Sequence, residues 1–421
     1  MTDIYFRTDG NSKIATGHLV RCLAIARACV KIGADVKFIV SDKESLTLLE
    51  ERFTAPREFT VFCLEHSYRE LDSEIPALLS CLASDMPTEN DRPAGDGSHA
   101  SHNMPWLFID SYSATTSYFA VLRRYFKTAY LDDLRSFDCA VDLVVNYDTS
   151  EDCAAYDNAG RKLLGIQYTP LREQFLSPAY QVRRKAEHVL LSTGGTDPYR
   201  VAEGLLQMIY DDPSDILFAP SQNIAHGRQD HCAVQDRPLQ DISLQQLSTQ
   251  DKSVLQSMHY HILTSRANTR YAALAALAQT HPFLHIHTNV SNVAALMASC
   301  DLAVSAGGTT LCELCAVGVP TVSYLMAENQ RVATEAYAKE GLIPCAGDIR
   351  PAGAAGHTGQ PADASAVSAC PSTLHHIASF LIRMAHDHPA RTAVSAAMRS
   401  HLDGTGARQI AEALTAEPPC P

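Results

Sequence analysis

The sequence predicts an α/β protein of two domains, each built on a parallel sheet. Three observations carry this expectation. At 421 residues the chain exceeds the roughly 250–300 residues beyond which one hydrophobic core stops growing. Short apolar runs alternate with stretches of helical periodicity, the pattern of strands joined by crossover helices. That alternation restarts at His188–Ser192, after an irregular stretch from Leu171 to Arg184 that reads as a linker.

In the first series, residues 3–9 predict a strand and Gly17–Val30 a helix. The helix stripe runs Leu19, Leu23, Ala26, Val30, and Gly33 ends it. Further strands are expected at Val36–Val40, Leu107–Asp110, Thr128–Leu131 and Leu143–Val145. They end in polar residues, Arg7 and Asp9, Asp110 and Tyr112, or Asp132 and Asp133. Ligands of open α/β sheets collect at carboxyl strand ends, so these positions form a candidate rim. The second series begins with the strand His188–Ser192, the turn Thr193–Pro198 and a helix from about Tyr199. Strands follow at Tyr260–Leu263, Leu284–His287, Leu302–Ser305 and Pro320–Tyr324, with helices at Asn292–Ala298, Thr310–Ala316 and Gln330–Lys339. Residues 1–175 and 185–421 are the expected domains. Stretches near 85–104, 221–255 and 349–371 are poor in periodic apolar residues and read as surface insertions or mobile loops.

Composition narrows the function classes. The formal net charge of -13 argues against nucleic-acid binding, which needs concentrated Lys and Arg. No run approaches the roughly 20 apolar residues of a membrane span. The start, MTDIYFRTDG, lacks a secretory pattern, and the 13 cysteines are scattered, so reduced thiols in the cytoplasm are expected. A monomer is expected.

The densest polar constellation is Arg7-Thr8-Asp9-Gly10-Asn11 followed by Thr16-Gly17-His18 and Arg21, where a strand feeds a helix. His18 would supply an imidazole that titrates near neutral pH, at a helix N-terminus that favours the neutral form a base needs. The same residues admit a purely structural reading, in which Asp9 and Thr16 cap the helix and His18 is polar surface. In the second half, Ser305-Ala306-Gly307-Gly308-Thr309-Thr310 lies between a strand and a helix carrying Glu313. Such a turn presents amides to a pyrophosphate or is simply a tight turn with a capping threonine. The Thr193-Gly194-Gly195-Thr196-Asp197 turn repeats the pattern, which favours a shared phosphate cradle. No metal is expected: Cys312 and Cys315 read as packed thiols without a second pair at zinc-like distance, Asp132 and Asp133 as helix caps or structural hydrogen-bond partners, His281, His285 and His287 flank or occupy a strand, and His99 and His102 sit in a loop insertion.

Taken in order, RTDGNSKIATGHLVRCLAIA (7–26), FIDSY (108–112), LDDL (131–134), DLVVN (142–146), LLGIQYTPLREQF (163–175), LSTGGTDP (191–198) and SAGGTTLCELCAVGVPTVSYLMAENQ (305–330) resemble the pseudaminic-acid pathway hydrolases. Those enzymes remove UDP from UDP-2,4-diacetamido-2,4,6-trideoxy-β-L-altropyranose. The resemblance implies a GT-B-like fold, two Rossmann-like domains with an interdomain cleft, similar also to the MurG class of transferases. It implies a UDP-sugar substrate, no cofactor and no metal, with water attacking the anomeric carbon with inversion in a pathway feeding flagellin or surface-polysaccharide glycosylation.

By the same resemblance His18 is the catalytic base, and Asp9, Asn11, Arg21, Tyr112, Asn329 and Gln330 bind sugar. Gly194, Gly195, Gly307, Gly308, Thr309, Glu313 and Glu328 bind the nucleotide. Two positions depart from the family pattern: Ala15-Thr16 replaces a glycine-rich run, and Gly10 a frequent serine. The competing readings are a GT-B glycosyltransferase, a hydrolysing UDP-N-acetylglucosamine 2-epimerase and a non-catalytic UDP-sugar sensor.

Overall fold

The structure, a computed structural model, describes residues 2–11, 13–14, 16–53, 55, 58–83, 104–132, 134, 138, 140–147, 156–176, 178–210, 247–350 and 368–416. The chain divides into two units, Met1–Leu176 with Asp403–Pro421, and Ser177–Leu402. No helix among the described residues is long and apolar enough to cross a membrane.

The first unit runs β1 (Asp3–Thr8), α1 (Gly17–Lys31), β2 (Asp35–Val40), α2 (Lys43–Thr47), β3 (Thr60–Cys63), α3 (Leu71–Cys81), β4 (Trp106–Asp110), α4 (Thr116–Leu122), β5 (Lys127–Leu131), β6 (Leu143–Asn146) and β7 (Arg161–Leu164). Its seven strands are parallel in the order β3-β2-β1-β4-β5-β6-β7. Parallel sheets are covered on both faces, which is why β1 is buried from Ile4 to Thr8 rather than alternating. The α1 stripe is shifted from its expected line: Leu19, Cys22, Leu23 and Ala26 are buried, whereas Val30 is 49% exposed, because the buried face continues through Cys29 in the last turn.

The second unit runs β8 (His188–Ser192), α5 (Val201–Tyr210), α6 (Thr249–Gln256), β9 (His259–Leu263), α7 (Tyr271–Thr280), β10 (Leu284–His287), α8 (Val293–Ala298), β11 (Leu302–Ala306), α9 (Thr310–Val317), β12 (Thr321–Leu325), α10 (Arg331–Lys339), β13 (Cys345–Asp348), α11 (Pro371–His386) and α12 (His388–His401). Its parallel sheet has the order β10-β9-β8-β11-β12-β13.

Three expectations need correction. The last helix, α13 (Gly406–Thr415), belongs to the first unit, so 185–421 is not one domain. Ile410, Ala411 and Leu414 join the core formed by Leu19, Leu23 and Phe38, and Arg161 Nη1 donates to the Ala413 carbonyl at 2.9 Å. The crossing is tight: a Cβ at Gly406 would fall 2.3 Å from the Thr169 carbonyl oxygen, so only glycine fits. Second, the stretch 221–255 is not wholly irregular. Ser248 and Asp251 form a capping box that starts α6, and Leu255 anchors the helix in the core. Third, Ile349 of the stretch 349–371 is buried core, and α11 begins at its last residue. Residues 85–103, 221–246 and 351–367, with His99 and His102 among them, lie outside the described residues.

Candidate active site

In the first sheet the strand order reverses between β1 and β4, and ligands of open α/β sheets bind outside the carboxyl ends at such a reversal. His18, in the first turn of α1 after β1, and Asp110, the last residue of β4, meet there. His18 Nδ1 lies 2.6 Å from Asp110 Oδ1. A carboxylate only accepts, so Nδ1 carries the proton, and Nε2 is the basic nitrogen of the ring. Arg21, one turn further along α1, donates Nε to Asp110 Oδ2 and Nη2 to Oδ1, both at 2.6 Å, and Nη1 to the Tyr147 hydroxyl at 2.7 Å. Its Nη2 is 3.0 Å from His18 Nδ1, two donors converging on one oxygen.

Burial works to raise the Asp110 pKa. The Arg21 guanidinium and then the His18 ring outweigh it and hold the carboxyl well below the usual range. Asp110 is therefore an anion that fixes the imidazole's orientation and tautomer. Tyr112 lies edge-on to the His18 ring with centroids 4.6 Å apart, and is 54% exposed.

The structural alternative for this motif fails on its particulars. Thr16 makes no side-chain cap, Asp9 does not cap α1, and His18 is 7% exposed rather than surface. Asp9 accepts from Arg7 Nη1 and from the Ser41 amide, each at 2.6 Å. Arg7 in turn donates to Glu74 at 2.6 and 2.7 Å, and the Tyr118 hydroxyl donates to Glu74 at 2.7 Å. This closed, buried network occupies Asp9 in bracing the loop after β1. Asn11 Oδ1 accepts from the Lys13 and Ile14 amides and its Nδ2 donates to Asp42, an Asx turn that shapes the approach to α1. Sequence reasoning placed Asp110 on the strand-end rim without pairing it with His18, and gave no role to Tyr147 or Glu74. A signal existed for Glu74, an acid on the buried stripe of α3 between Leu71 and Leu78.

In the second sheet the order reverses between β8 and β11, and the two glycine turns follow these strands. Gly194 has φ +79, a conformation that favours glycine, and a Cβ there would meet Met326 Cε at 3.4 Å. The Ser265 amide and hydroxyl hold the Gly195 carbonyl at 3.0 and 2.7 Å. Asp197 accepts from the Val201 and Ala202 amides at the start of α5, and burial pushes its pKa up to about 6.

After β11, Gly307 is buried: a Cβ would fall 2.2 Å from Thr334 Oγ1 and 3.1 Å from Gln330 Cβ. Gln330 reaches back to accept from the Met326 amide at 3.0 Å. Gly308 and Thr309 are exposed, and Thr309 makes no side-chain cap to α9. The alternative reading of Thr309 as a cap is thus not met, and the tip of the turn, Gly308 and Thr309, faces outward ahead of α9. Glu313 lies half-buried in the first turn of α9. Asn329 belongs to the turn Glu328–Gln330. Glu328 is exposed and engaged: Arg331 first, then Arg350, hold its pKa down at about 2.

Among the described residues no group of three or more His, Cys, Asp or Glu is arranged to hold a metal ion. Cys312 and Cys315 are buried against the Tyr337 hydroxyl and the Met398 carbonyl. Asp132 accepts from the Tyr156 hydroxyl at 3.1 Å, and Asp133 lies outside the described residues.

No protein-family model matches the chain, and no curated protein matches its sequence. Solved structures do match its fold. MurG of Acinetobacter baumannii superposes with a TM-score of 0.57 at 12% identity, covering 98% of this chain and 99% of that one. Arabidopsis thaliana UGT89C1 complexed with UDP-L-rhamnose gives 0.55 at 10% identity, covering 98% and 99%. Spinosyn rhamnosyltransferase SpnG complexed with spinosyn aglycone gives 0.55 at 12% identity, covering 97% and 99%. The two parallel-sheet, Rossmann-like units are thus those of the GT-B fold shared with these glycosyltransferases.

Proposed function

We propose that the chain is a nucleotide-sugar enzyme in which His18 deprotonates a hydroxyl that attacks the sugar's anomeric carbon as the nucleotide diphosphate leaves. The observation that carries this reading is the His18–Asp110 pair at 2.6 Å, which leaves Nε2 as the base at a sheet reversal. Base assistance of this kind contributes about 100 to 10,000-fold. The glycine turns after β8 and β11 supply amides for the departing diphosphate, where negative charge grows during reaction. On this reading Tyr112 contacts the sugar beside His18, and Gln330 and Asn329 lie by the phosphate turn. Gly194, Gly195, Gly307, Gly308, Thr309, Glu313 and Glu328 form the nucleotide side. Asp9, Asn11 and Arg21 act by holding the His18 loop and Asp110.

Two nucleophiles suit this base. The fold neighbours include a plant enzyme bound to UDP-L-rhamnose and a rhamnosyltransferase bound to its aglycone, which favours transfer of a sugar from UDP to an acceptor hydroxyl. The ordered motif series favours water, with release of UDP from a UDP-linked 2,4-diacetamido-2,4,6-trideoxyhexose. Purified protein incubated with UDP-sugars, in labelled water and without metal, separates them. UDP release without acceptor, with solvent oxygen on the sugar, is hydrolysis; turnover only with an acceptor is transfer. Wild-type turnover by a folded His18→Asn variant would overturn both.

A further inference from the structure

Five histidines share one face of the second sheet. In β8, β9 and β10 the register pairs His188 with His259, His261 with His285, and Leu263 with His287, so alternation sends all five rings to the same side. The opposite face, with Val189, Tyr260, Ile262 and Leu284, is core, whereas the five rings are half-buried. They form two hydrogen-bonded runs. His261 joins His188 through Nε2 and His287 through Nδ1, each at 3.0 Å, and His259 Nδ1 meets His285 Nε2 at 3.2 Å. The His261 and His285 rings stack with centroids 4.7 Å apart.

Neutral imidazole has one donor and one acceptor nitrogen, so each junction holds one proton. One added proton per run can be placed by switching tautomers. A second sets N–H against N–H, with like charges on adjacent rings. Few counter-charges are at hand. Asp301, at the start of β11, is taken by Arg183 and by the Glu187 and His188 amides, and Glu187 by Lys185. On the histidine face β11 offers only Ala303 and Ser305, and the segment 288–300, including α8, contains no charged residue.

We propose that this histidine face is a proton-sensitive lock on the β8–β9–β10 edge, closed when the rings are neutral and driven open as they protonate at mildly acidic pH. The lock reaches the glycine turn, since Ser265 beyond β9 holds Gly195 beyond β8. That consequence for ligand binding rests on the proposed nucleotide role of the turn; the lock itself does not.

The sign follows from burial. Desolvation first, then the neighbouring rings, push His261 down to about 3. Desolvation with His259 lowers His285, and desolvation with His285 lowers His287. Folded-state values below the unfolded value of about 6.5 mean stability that is present above that pH and lost below it. Each such histidine raises the opening constant as pH falls, by up to tenfold per pH unit, a limit approached only well below about 6.5.

The test uses the full chain. Hydrogen exchange of β9 and β10 peptides, corrected for intrinsic rates, is followed from pH 7.5 to 5.5 in wild type, His261→Gln and His285→Gln, with histidine Cε1 NMR titration of the wild type. The expected result is wild-type opening that climbs as pH falls, with the rise between pH 7.5 and 5.5 smaller by about tenfold in all in His261→Gln and smaller in the same direction in His285→Gln. Should His261→Gln fail to fold, His285→Gln carries the comparison. Equal slopes in wild type and variants, or a His261 ring titrating near 6.5 in the folded chain, would overturn the lock. UDP affinity is measured in parallel. A chain that binds no UDP at any pH but shows the expected slopes sinks the nucleotide reading and supports the lock.

Discussion

His18 and Asp110, 92 positions apart, are joined at 2.6 Å across the strand reversal of the first sheet. Because Arg21 shares Asp110 with the imidazole, the carboxylate both fixes the tautomer and balances a buried cation. Asp110→Asn removes both services at once. Turnover should fall by about 100-fold or more, as expected when a base loses its orientation. The first unit should lose about 3–5 kcal/mol, because Arg21 is left buried without its anion. Steady-state kinetics and urea unfolding measure the two losses separately. Full activity in a folded Asp110→Asn chain would remove Asp110 from the mechanism.

Gly307 and Thr334 provide a steric test of the proposed phosphate turn. A Cβ at position 307 would sit 2.2 Å from a Thr334 hydroxyl that has no hydrogen-bond partner among the described residues. Gly307→Ala should cost about 1–3 kcal/mol from overpacking and weaken UDP binding. Thr334→Ala alone removes an unsatisfied hydroxyl and should cost little. The double variant should recover much of the lost stability, a coupling that a double-mutant cycle reads directly. Strict additivity would mean that the turn relaxes around the methyl without help from position 334.

Much of this arrangement was legible because it is local. The strand-to-helix transitions at Thr8–Gly17 and Ala306–Thr310 combine an apolar run, a glycine turn and a helical stripe within twenty residues, and both glycine turns do flank a sheet reversal. Asp9 shows the limit. Its type and position suggested ligand contact, but its oxygens accept from Arg7, two residues away, and from the Ser41 amide and hydroxyl, while Glu74 holds the far side of Arg7, and only the tertiary fold brings Ser41 and Glu74 there. The strands β3, β7 and β13 passed unnoticed: each is a short edge strand, and the runs RKLL and CAGD carry little apolar signal. The helix α13 is strongly amphipathic, and its sequence carries no mark of which core receives its apolar face.

Asp197 should give the second unit a pH dependence opposite to that of the histidine face. Burial raises its carboxyl to about 6 against an unfolded value near 3.9. The folded chain therefore holds this proton more tightly, and the group's favourable contribution is complete below about pH 4 and lost as pH rises through 6. At neutral pH the deficit is about 3 kcal/mol as an order of magnitude. Its backbone has φ +43, which asparagine tolerates well. Asp197→Asn keeps an acceptor for the α5 amides without the charge. Its stability relative to wild type should rise between pH 4 and 8, followed by thermal melts; a difference that stays flat would mean the carboxyl is not buried in solution.

Removing residues 403–421 should unfold the first unit although it leaves residues 1–176 intact in sequence. Ile410, Ala411 and Leu414 are at most 1% exposed and share one core with Leu19, Leu23 and Phe38 on the other side of the contact. Each large apolar side chain so buried contributes about 1.5–3 kcal/mol, and the α1 residues facing α13 would lose cover as well. The sum is comparable with the roughly 5–15 kcal/mol that stabilises a whole domain. A chain ending at Leu402 should therefore show rapid hydrogen exchange throughout α1 and β1, while β8 and β11 stay protected because their core contains no residue of α13. Protection of α1 equal to that in the full chain would show that the first unit closes its core without the returning helix. In that case the division of the chain at Leu176 would suffice to define the domain.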